Sequence, residues 1–211
     1  MWTTIYKNAL ILAIFAIISA GAVGVIHHLT KARIQNEKEQ ALYRVIHRLL
    51  PPSDYDNELY HDCTLVTAPE WLGTQAPVRA FRARRQGKPV ALLLQSVAPN
   101  GYNGAIELLV AISRDGVEGV EVLSHQETPG LGDQIESRKS HWLKQFKGKS
   151  LATTPLEQWK VKKDGGVFDA LTGATITPRA VVQAVSKTLT YGQTHWSKLF
   201  TTPANCHGGT R

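Results

Sequence analysis

The chain has 211 residues, of which 43% are hydrophobic, and its formal net charge at pH 7 is +7. This length is enough for one domain of ordinary size with an appendage, and the apolar content is enough for a buried core. The densest basic runs, 79–88 and 138–149, lie in separate segments, and neither carries a recognised nucleic-acid-binding motif. We therefore expect no nucleic-acid partner, whereas a position near anionic lipid is compatible with the charge.

The spacing of cysteine and histidine matches no common metal or thiol site. The two cysteines, Cys63 and Cys206, form no C-x-x-C pair, and only His27 and His28 are adjacent among the eight histidines. We therefore expect neither a metal nor a thioredoxin-type motif. In an oxidising compartment the cysteines could form a disulfide, a question that spacing alone leaves open.

An uninterrupted apolar run occupies residues 9–26, eighteen positions without a charge. As a helix it is just long enough to cross the hydrocarbon core of a bilayer, about 30 Å thick. The small residues 20–22 would also suit a signal-peptide cleavage site, but the run is longer than a usual signal-peptide core and continues past that point. We predict an uncleaved transmembrane anchor over residues 1–30.

The charges that flank this anchor bear on its orientation. Lys7 and the N-terminal amine precede the apolar run, whereas Lys31, Arg33 and Lys38 follow it. Because positive charges favour the cytoplasmic side, this count alone places the remainder of the chain in the cytoplasm.

A second helical pattern follows the anchor. Its apolar residues have the spacing of one helix face: Leu42, Val45, Ile46, Leu49 and Leu50. Pro51 and Pro52 would end this helix. We predict an amphipathic connecting helix over residues 31–52, whose apolar face packs on the domain or on a partner subunit, and a domain over residues 53–211.

Four runs with strand-like composition come next, at residues 78–84, 89–97, 105–113 and 117–125. Gly87, Asn100–Gly101 and Asp115–Gly116 separate them. Asp115–Gly116 is a hairpin signal in which both residues would adopt positive φ. The runs predict an antiparallel sheet.

The rest of the domain has mainly helical patterns. Residues 133–146 have helical spacing, residues 158–163 could add a strand, and a helix after Pro178 extends to about Leu199, with Thr177 as its N-cap. Strands followed by helices indicate an α+β domain.

Two loop-like segments in this domain have unusual composition. Residues 125–132 read His-Gln-Glu-Thr-Pro-Gly-Leu-Gly, which indicates a fixed irregular loop. Residues 169–178 read Asp-Ala-Leu-Thr-Gly-Ala-Thr-Ile-Thr-Pro and form neither a P-loop nor a dinucleotide-binding fingerprint. Small residues there would let a bulky group approach the backbone, and the unpaired amides of the following helix favour an anion such as phosphate.

Both segments match known flavoproteins. The second fits the pattern D-x-x-[ST]-G-A-[ST], on whose last hydroxyl flavin transferases of the ApbE type esterify FMN, and H-x-E-T-P-G-L-G stands upstream in the same proteins. Together with the anchor and the chain length, these motifs make the chain resemble the G subunit of the Rnf (Rsx) electron-transport complex. The related C subunit of the sodium-pumping NADH:quinone reductase is an alternative, although that subunit is usually longer.

The resemblance implies one N-terminal transmembrane helix followed by an antiparallel-sheet FMN-binding domain with flanking helices. It implies FMN joined covalently through its phosphate to Thr175, which would be an attachment point and not a catalytic residue. The other residues expected to contact the cofactor are Asp169, Thr172, Gly173, Ala174, Glu127, Thr128, Leu131 and Gly132.

The function implied is that of an electron carrier within a bacterial inner-membrane complex that couples electron transfer, between ferredoxin and NAD, to ion translocation. Its partners would be the other membrane and iron–sulfur subunits and a flavin transferase, and its domain would be periplasmic, against the charge count. A membrane-anchored binding module of the same fold without redox activity is the alternative. A hydrolase is disfavoured because neither G-x-S-x-G nor S-x-x-K occurs.

Overall fold

The computed structural model describes residues 2–206, and its first element is a single long helix, α1, Trp2–Leu49. The predicted anchor and connecting helix are therefore continuous. Within α1, Ile5–Lys31 is long and apolar enough to cross a membrane, and large side chains such as Phe15 and Ile18 are exposed there. The helix ends two residues before Pro51, whose ring could not continue it.

The chain divides into two compact units, Met1–Arg44 and Val45–Arg211. The second unit contains a five-stranded antiparallel sheet whose spatial order follows the sequence. Its strands are β1 Cys63–Val66, β2 Val78–Arg85, β3 Lys88–Gly101, β4 Gly104–Ile112 and β5 Val117–Ser124. The predicted antiparallel sheet is confirmed with shifts of a few residues, and the four-residue β1 is an addition.

The turns between strands differ from those predicted. Gln86 (φ 52°) and Gly87 (φ 74°) join β2 to β3, so the two-residue turn with paired positive φ lies there. Between β4 and β5 only Gly116 has positive φ, and the amide of Ser113 donates to its carbonyl at 2.8 Å. The prediction of positive φ at both Asp115 and Gly116 was therefore wrong, because a four-residue loop needs only one such residue.

One face of the sheet is covered by α3, Ile176–Thr194, together with the short helices α2, Pro69–Leu72, and α4, Trp196–Thr201. The helix α3 lies very close to β3 and β4: a Cβ on Gly192 would be 2.9 Å from Cδ1 of Ile112. The confirmed fold class is thus α+β, with a buried core between α3 and the sheet. On β5, Gly119 is close to Leu49 at the end of α1.

Three predicted elements were wrong in detail. Residues 133–146 form two 3₁₀ segments, Gly132–Ile135 and Trp142–Phe146. The helix is interrupted because the Ser140 hydroxyl donates to the carbonyl of Gln134 and accepts the amide of Trp142. Residues 158–163 form no strand: Val161 makes an isolated bridge with Phe168, and the flanking residues belong to the 3₁₀ turns Leu156–Gln158 and Lys162–Asp164. The helix predicted to run to about Leu199 breaks at His195 between α3 and α4.

An aromatic cluster fills the end of the core that underlies residue 169. The ring centroids of Phe146 and Phe168 are 4.7 Å apart, and those of Trp159 and Phe168 are 5.0 Å apart. Phe146 and Phe168 are fully buried. The cluster therefore anchors the backbone from which the threonine segment extends.

The C-terminal end of the described chain is fixed to the start of the sheet. Cys63 and Cys206 form a disulfide, with a Cα–Cα distance of 5.7 Å. The side chain of Asn205 accepts hydrogen bonds from the amide of Leu65 at 2.7 Å and the hydroxyl of Thr64 at 3.2 Å. These contacts give the edge strand β1 a covalent and a hydrogen-bonded link to the end of the domain.

Candidate functional site

Three segments that are distant in sequence converge around one cavity of about 250 Å³. They are the turn between β3 and β4, the loop 125–132 and the start of α3. The cavity is lined by Tyr102, Glu127, Thr128, Leu131, Gly132, Gly173, Ala174, Thr175, Ile176 and Thr177. Seven of the nine residues expected to contact a cofactor are in this set, whereas Asp169 and Thr172 are not.

The two threonines at the start of α3 have opposite environments. Thr175 is the residue that precedes the helix; it is exposed, and its side chain makes no capping hydrogen bond. Thr177 lies inside the first turn, is 1% exposed, and its hydroxyl donates to Oε2 of Glu127. The prediction that Thr177 caps the helix was wrong, because α3 starts at Ile176, two residues before the predicted start at Pro178, and the hydroxyl of Thr177 bonds Glu127 instead.

The Glu127 carboxylate is buried, with an exposed fraction of 5%. Besides the hydroxyl of Thr177, it accepts the backbone amide of Asn103 at 3.2 Å from Oε1. Glycines permit this packing: a Cβ on Gly132 would be 2.6 Å from Oε2, and one on Gly101 would be 2.8 Å from Oε1. Glu127 therefore joins all three segments that line the cavity.

A charged network supports the loop from outside the cavity. The backbone amide of Glu127 donates to Nδ1 of His125 at 3.0 Å, so the proton of a neutral imidazole is on Nε2, which lies 3.1 Å from Oε1 of Glu136. Burial opposes ionisation of Glu136, but hydrogen bonds from Arg138, Lys139 and His125 outweigh it and lower its pKa to about 2. The hydrogen bond from Lys139, 2.7 Å long, also lowers the pKa of Asp133.

The loop and the threonine segment are in direct contact at the rim of the cavity. Gly173 has φ 77°, and a Cβ there would be 2.7 Å from Cδ2 of Leu131. Ala174 donates its amide to the carbonyl of Leu171 at 3.3 Å, which closes a tight turn. The small residues of the motif therefore make room for Leu131 in the structure.

Asp169 is held by its backbone and not by the cavity. Its carbonyl accepts Nε1 of Trp142 and its amide donates to Oε1 of Gln145, both at 2.7 Å. Its carboxylate is exposed and lies 2.6 Å from Nζ of Lys162. The side chain is thus available to a macromolecule that approaches from solvent.

Tyr102 and Ile176 are lining residues that the sequence did not predict. Tyr102 is 67% exposed at the tip of the β3–β4 turn, and Ile176 is 44% exposed at the start of α3. With Leu131, which is 42% exposed, they form an apolar rim around the cavity. Only the folding of the sheet brings the turn beside the motifs, although an aromatic residue in an exposed turn was a usable signal.

Two protein-family models match the chain and identify the class of protein to which this fold and cavity belong. The FMN-binding domain model matches residues 101–190, which contain every residue that lines the cavity, and the RnfG N-terminal region model matches residues 1–49. The protein thus has an FMN-binding domain after an N-terminal helix that fits a membrane anchor.

Full-length relatives make the assignment more specific. The chain is 49% identical over 201 residues, 95% of each chain, to the G subunit of the ion-translocating oxidoreductase complex of Shewanella baltica (strain OS223). It is 47% identical to the same subunit of Vibrio atlanticus (strain LGP32), over 99% of this chain and all of that one. The chain belongs to the family of G subunits of ion-translocating oxidoreductase complexes, and the predicted resemblance is confirmed.

Among solved structures, the crystal structure of Shewanella oneidensis NqrC has a TM-score of 0.45 and 25% sequence identity over 71% of each chain.

Proposed function

We propose that this chain is an electron-transfer subunit of an ion-translocating oxidoreductase complex and that it carries FMN joined by a phosphoester to Thr175. The observation that carries the proposal is that Thr175 is exposed at the edge of the cavity on which both sequence motifs converge. Membership of the G-subunit family and the FMN-binding domain match support the electron-transfer role.

The environments of the three threonines favour Thr175 as the attachment point. The hydroxyl of Thr177 is buried and bonded to Glu127, so a transferase could not reach it without opening the core. Thr172 is exposed but does not line the cavity. Thr175 alone of the three combines exposure with a position beside the cavity.

The start of α3 suits a phosphodiester beside Thr175. The first-turn amides of this 19-residue helix have no partners within the helix, and its first turn contains no acidic residue. The dipole of the helix favours negative charge at that end. The helix end therefore favours the phosphate, whereas the negative charge of the Glu127 carboxylate, which is bonded to Thr177, opposes it.

The cavity fits part of a flavin. Its volume of about 250 Å³ is below the range, about 300–1,000 Å³, of sites that enclose a drug-sized ligand. A group held there would remain partly exposed, with apolar surface against Leu131, Tyr102 and Ile176. Such a site gives little binding free energy, so a covalent link explains how the cofactor is retained, and an exposed ring edge suits electron exchange with a partner.

FMN, when bound, supplies the redox chemistry, because it can accept and release electrons one or two at a time. The chain's own residues position it. We propose that Leu131 covers the apolar ring, that Thr128 donates a hydrogen bond to a polar edge, and that Gly132, Gly173 and Ala174 line the cavity beside it. We assign Glu127 to holding these segments together.

Attachment requires a flavin transferase as a partner. The Thr175 oxygen forms a bond to the FMN phosphorus of flavin adenine dinucleotide, and the bond between the two phosphates breaks. AMP leaves with the electron pair, and the hydroxyl proton passes to a base of the transferase. We propose that the exposed Asp169 carboxylate is recognised by this transferase.

We further propose that the domain lies on the periplasmic side of the bacterial inner membrane. The disulfide between Cys63 and Cys206 supports an oxidising compartment, because cytosolic thiols are normally kept reduced. The disulfide thus opposes the positive-inside count. In the complex, the chain would exchange electrons with other membrane and iron–sulfur subunits on a route between ferredoxin and NAD. Protease access in intact spheroplasts tests the orientation, since a domain protected until lysis would place it in the cytoplasm.

Mass spectrometry tests the attachment most directly. The full chain is co-expressed with a flavin transferase, and the tryptic peptide 164–179 is examined for a mass increase equal to FMN less one water. We expect fragment ions to place the increase on Thr175, Thr175→Ser to keep it and Thr175→Ala to lose it. A modification on Thr172 or Thr177 contradicts the assignment. An unmodified peptide, with no in-gel flavin fluorescence, favours a non-redox binding module.

A further inference from the structure

We infer that the Glu127 carboxylate and the Thr177 hydroxyl form a positioning pair that sets the orientation of Thr175 for flavin attachment. This inference rests on the proposed attachment at Thr175. It assigns to Thr177 a role that is neither helix capping nor flavin acceptance.

The pair combines a buried carboxylate with neutral hydrogen-bond donors. Both side chains are buried, and the two groups that donate to Glu127 are neutral, the hydroxyl of Thr177 and the backbone amide of Asn103. Burying a carboxylate costs free energy unless its oxygens are hydrogen-bonded. The two donors therefore fix the position of the carboxylate, and the carboxylate in turn fixes the position of the donors.

Thr175 is connected to the pair through the backbone of α3. Thr175 is helical in its backbone (φ −99°, ψ −30°) and has no capping hydrogen bond from its own side chain. The direction of its Cβ is therefore set by the backbone of the first turn of α3. That turn is joined to the loop 125–132 by the hydroxyl of Thr177, two residues further along the chain.

The contact between the loop and the first turn of α3 is closely packed. A Cβ on Gly132 would lie 2.6 Å from Oε2 of Glu127 and 2.9 Å from Oγ1 of Thr177. The loop backbone thus contacts both members of the pair, and the first turn of α3 has little freedom to rotate. Loss of the hydroxyl would leave Oε2 without its donor and release this constraint.

The experiment compares Thr177→Val with a matched control on the same helix. Thr188 is also fully buried, but its hydroxyl donates to Ala184 within α3, at 2.7 Å, and it does not line the cavity. The full chain in detergent is incubated with excess transferase and flavin adenine dinucleotide, and the initial rate of covalent incorporation is measured together with the melting temperature.

We expect Thr177→Val and Glu127→Gln each to lower the incorporation rate by about tenfold or more, the size expected for loss of a charge-assisted hydrogen bond. We expect Thr177→Ser to restore most of the rate and Thr188→Val to stay within about twofold of the wild-type rate. The double variant Thr177→Val/Glu127→Gln should incorporate flavin no more slowly than the slower of the two single variants. A Thr177→Val rate equal to that of Thr188→Val overturns the inference, as does a failure of Thr177→Ser to restore incorporation.

If the wild-type chain accepts no flavin, that result refutes the proposed function but not the positioning pair. A second measurement then tests the pair. In the flavin-free full chain, Thr177→Val should speed hydrogen exchange at the amides of Asn103 and Glu127, because the carboxylate would no longer be fixed. Unchanged exchange at both amides overturns the positioning pair.

Discussion

Leu131 lies directly over the position where Gly173 lacks a side chain: a Cβ on Gly173 would be 2.7 Å from Cδ2 of Leu131. The contact joins the two loop-like segments of the sequence at the edge of the cavity. Gly173 is required for two independent reasons, its φ of 77° and this absence of space.

Replacing Gly173 with alanine should therefore affect both stability and cofactor attachment. The left-handed conformation costs an alanine about 1–2 kcal/mol, and the added methyl must displace Leu131 from the rim. We expect the free energy of unfolding, measured by denaturant titration, to fall by about 1–2 kcal/mol. The flavin content of the denatured protein should be several-fold lower than that of wild type.

Gly165→Ala is the matched control for this substitution. Gly165 has φ 81°, but nothing lies within 4 Å of the position its Cβ would take. It should lose comparable stability and keep its flavin. If both variants retain wild-type flavin content, the contact between Gly173 and Leu131 has no role in the site.

Asp169→Asn should separate recognition from stability. The Asp169 carboxylate pairs with Lys162, but both side chains are 63% exposed, and such surface pairs contribute about 0–1 kcal/mol. The contacts to Trp142 and Gln145 use the backbone of Asp169 and survive the substitution. We expect a nearly unchanged melting temperature and a strongly reduced rate of flavin incorporation.

Asp164→Asn provides the comparison for Asp169→Asn. Asp164 makes two hydrogen bonds to the exposed Arg179, at 2.6 and 2.7 Å, so the substitution also removes a surface ion pair. It should leave incorporation near the wild-type rate. Equal rates for the two variants would show that the transferase does not recognise Asp169.

The charged network behind the loop should make stability sensitive to acid. The pKa of Glu136 is lowered from 4.5 to about 2, so folding favours its ionised form. Its stabilising contribution is complete above pH 4.5 and is lost as the pH falls toward 2. Because Arg138 is largely exposed and its pairing is screened, we expect a loss of about 1–2 kcal/mol over this interval.

Glu136→Gln tests the assignment of this acid response. The variant should be less stable at neutral pH and should have a shallower decline in unfolding free energy between pH 5 and pH 2. Glu157→Gln removes an exposed carboxylate outside the network and serves as the comparison. A decline as steep in Glu136→Gln as in wild type would place the acid sensitivity elsewhere.

The sequence predicted the sheet well because strand-forming runs and glycine-containing turns are local signals. It failed for residues 133–146, where the hydroxyl of Ser140 interrupts an otherwise helical spacing. It also failed for Thr177, which has the residue type of an N-cap but is the second residue of α3. In each case a tertiary or side-chain contact decided between conformations that the local sequence allowed.

The candidate site was predicted in the same uneven way. The two motifs named most of the cavity lining because each motif is contiguous in sequence. Tyr102 was missed because it comes from the β3–β4 turn, which the register of the sheet brings beside the loop. The buried bond between Glu127 and Thr177 spans 50 residues, and no local pattern could predict it.

The disulfide should contribute strongly to stability, because it closes a long loop. Cys63 and Cys206 are separated by 143 residues, and removing a native disulfide typically costs about 2–5 kcal/mol. We expect the double variant Cys63→Ser/Cys206→Ser to melt at a clearly lower temperature, and dithiothreitol to lower the melting temperature of wild type but not of the variant. The hydrogen bonds from Thr64 and Leu65 to Asn205 hold the same two segments together, so the domain should remain folded after reduction.

Two results together would contradict the disulfide: dithiothreitol does not change the melting temperature of wild type, and both cysteines are found as thiols in protein isolated without reductant. They would also remove the support that the disulfide gives to a periplasmic domain.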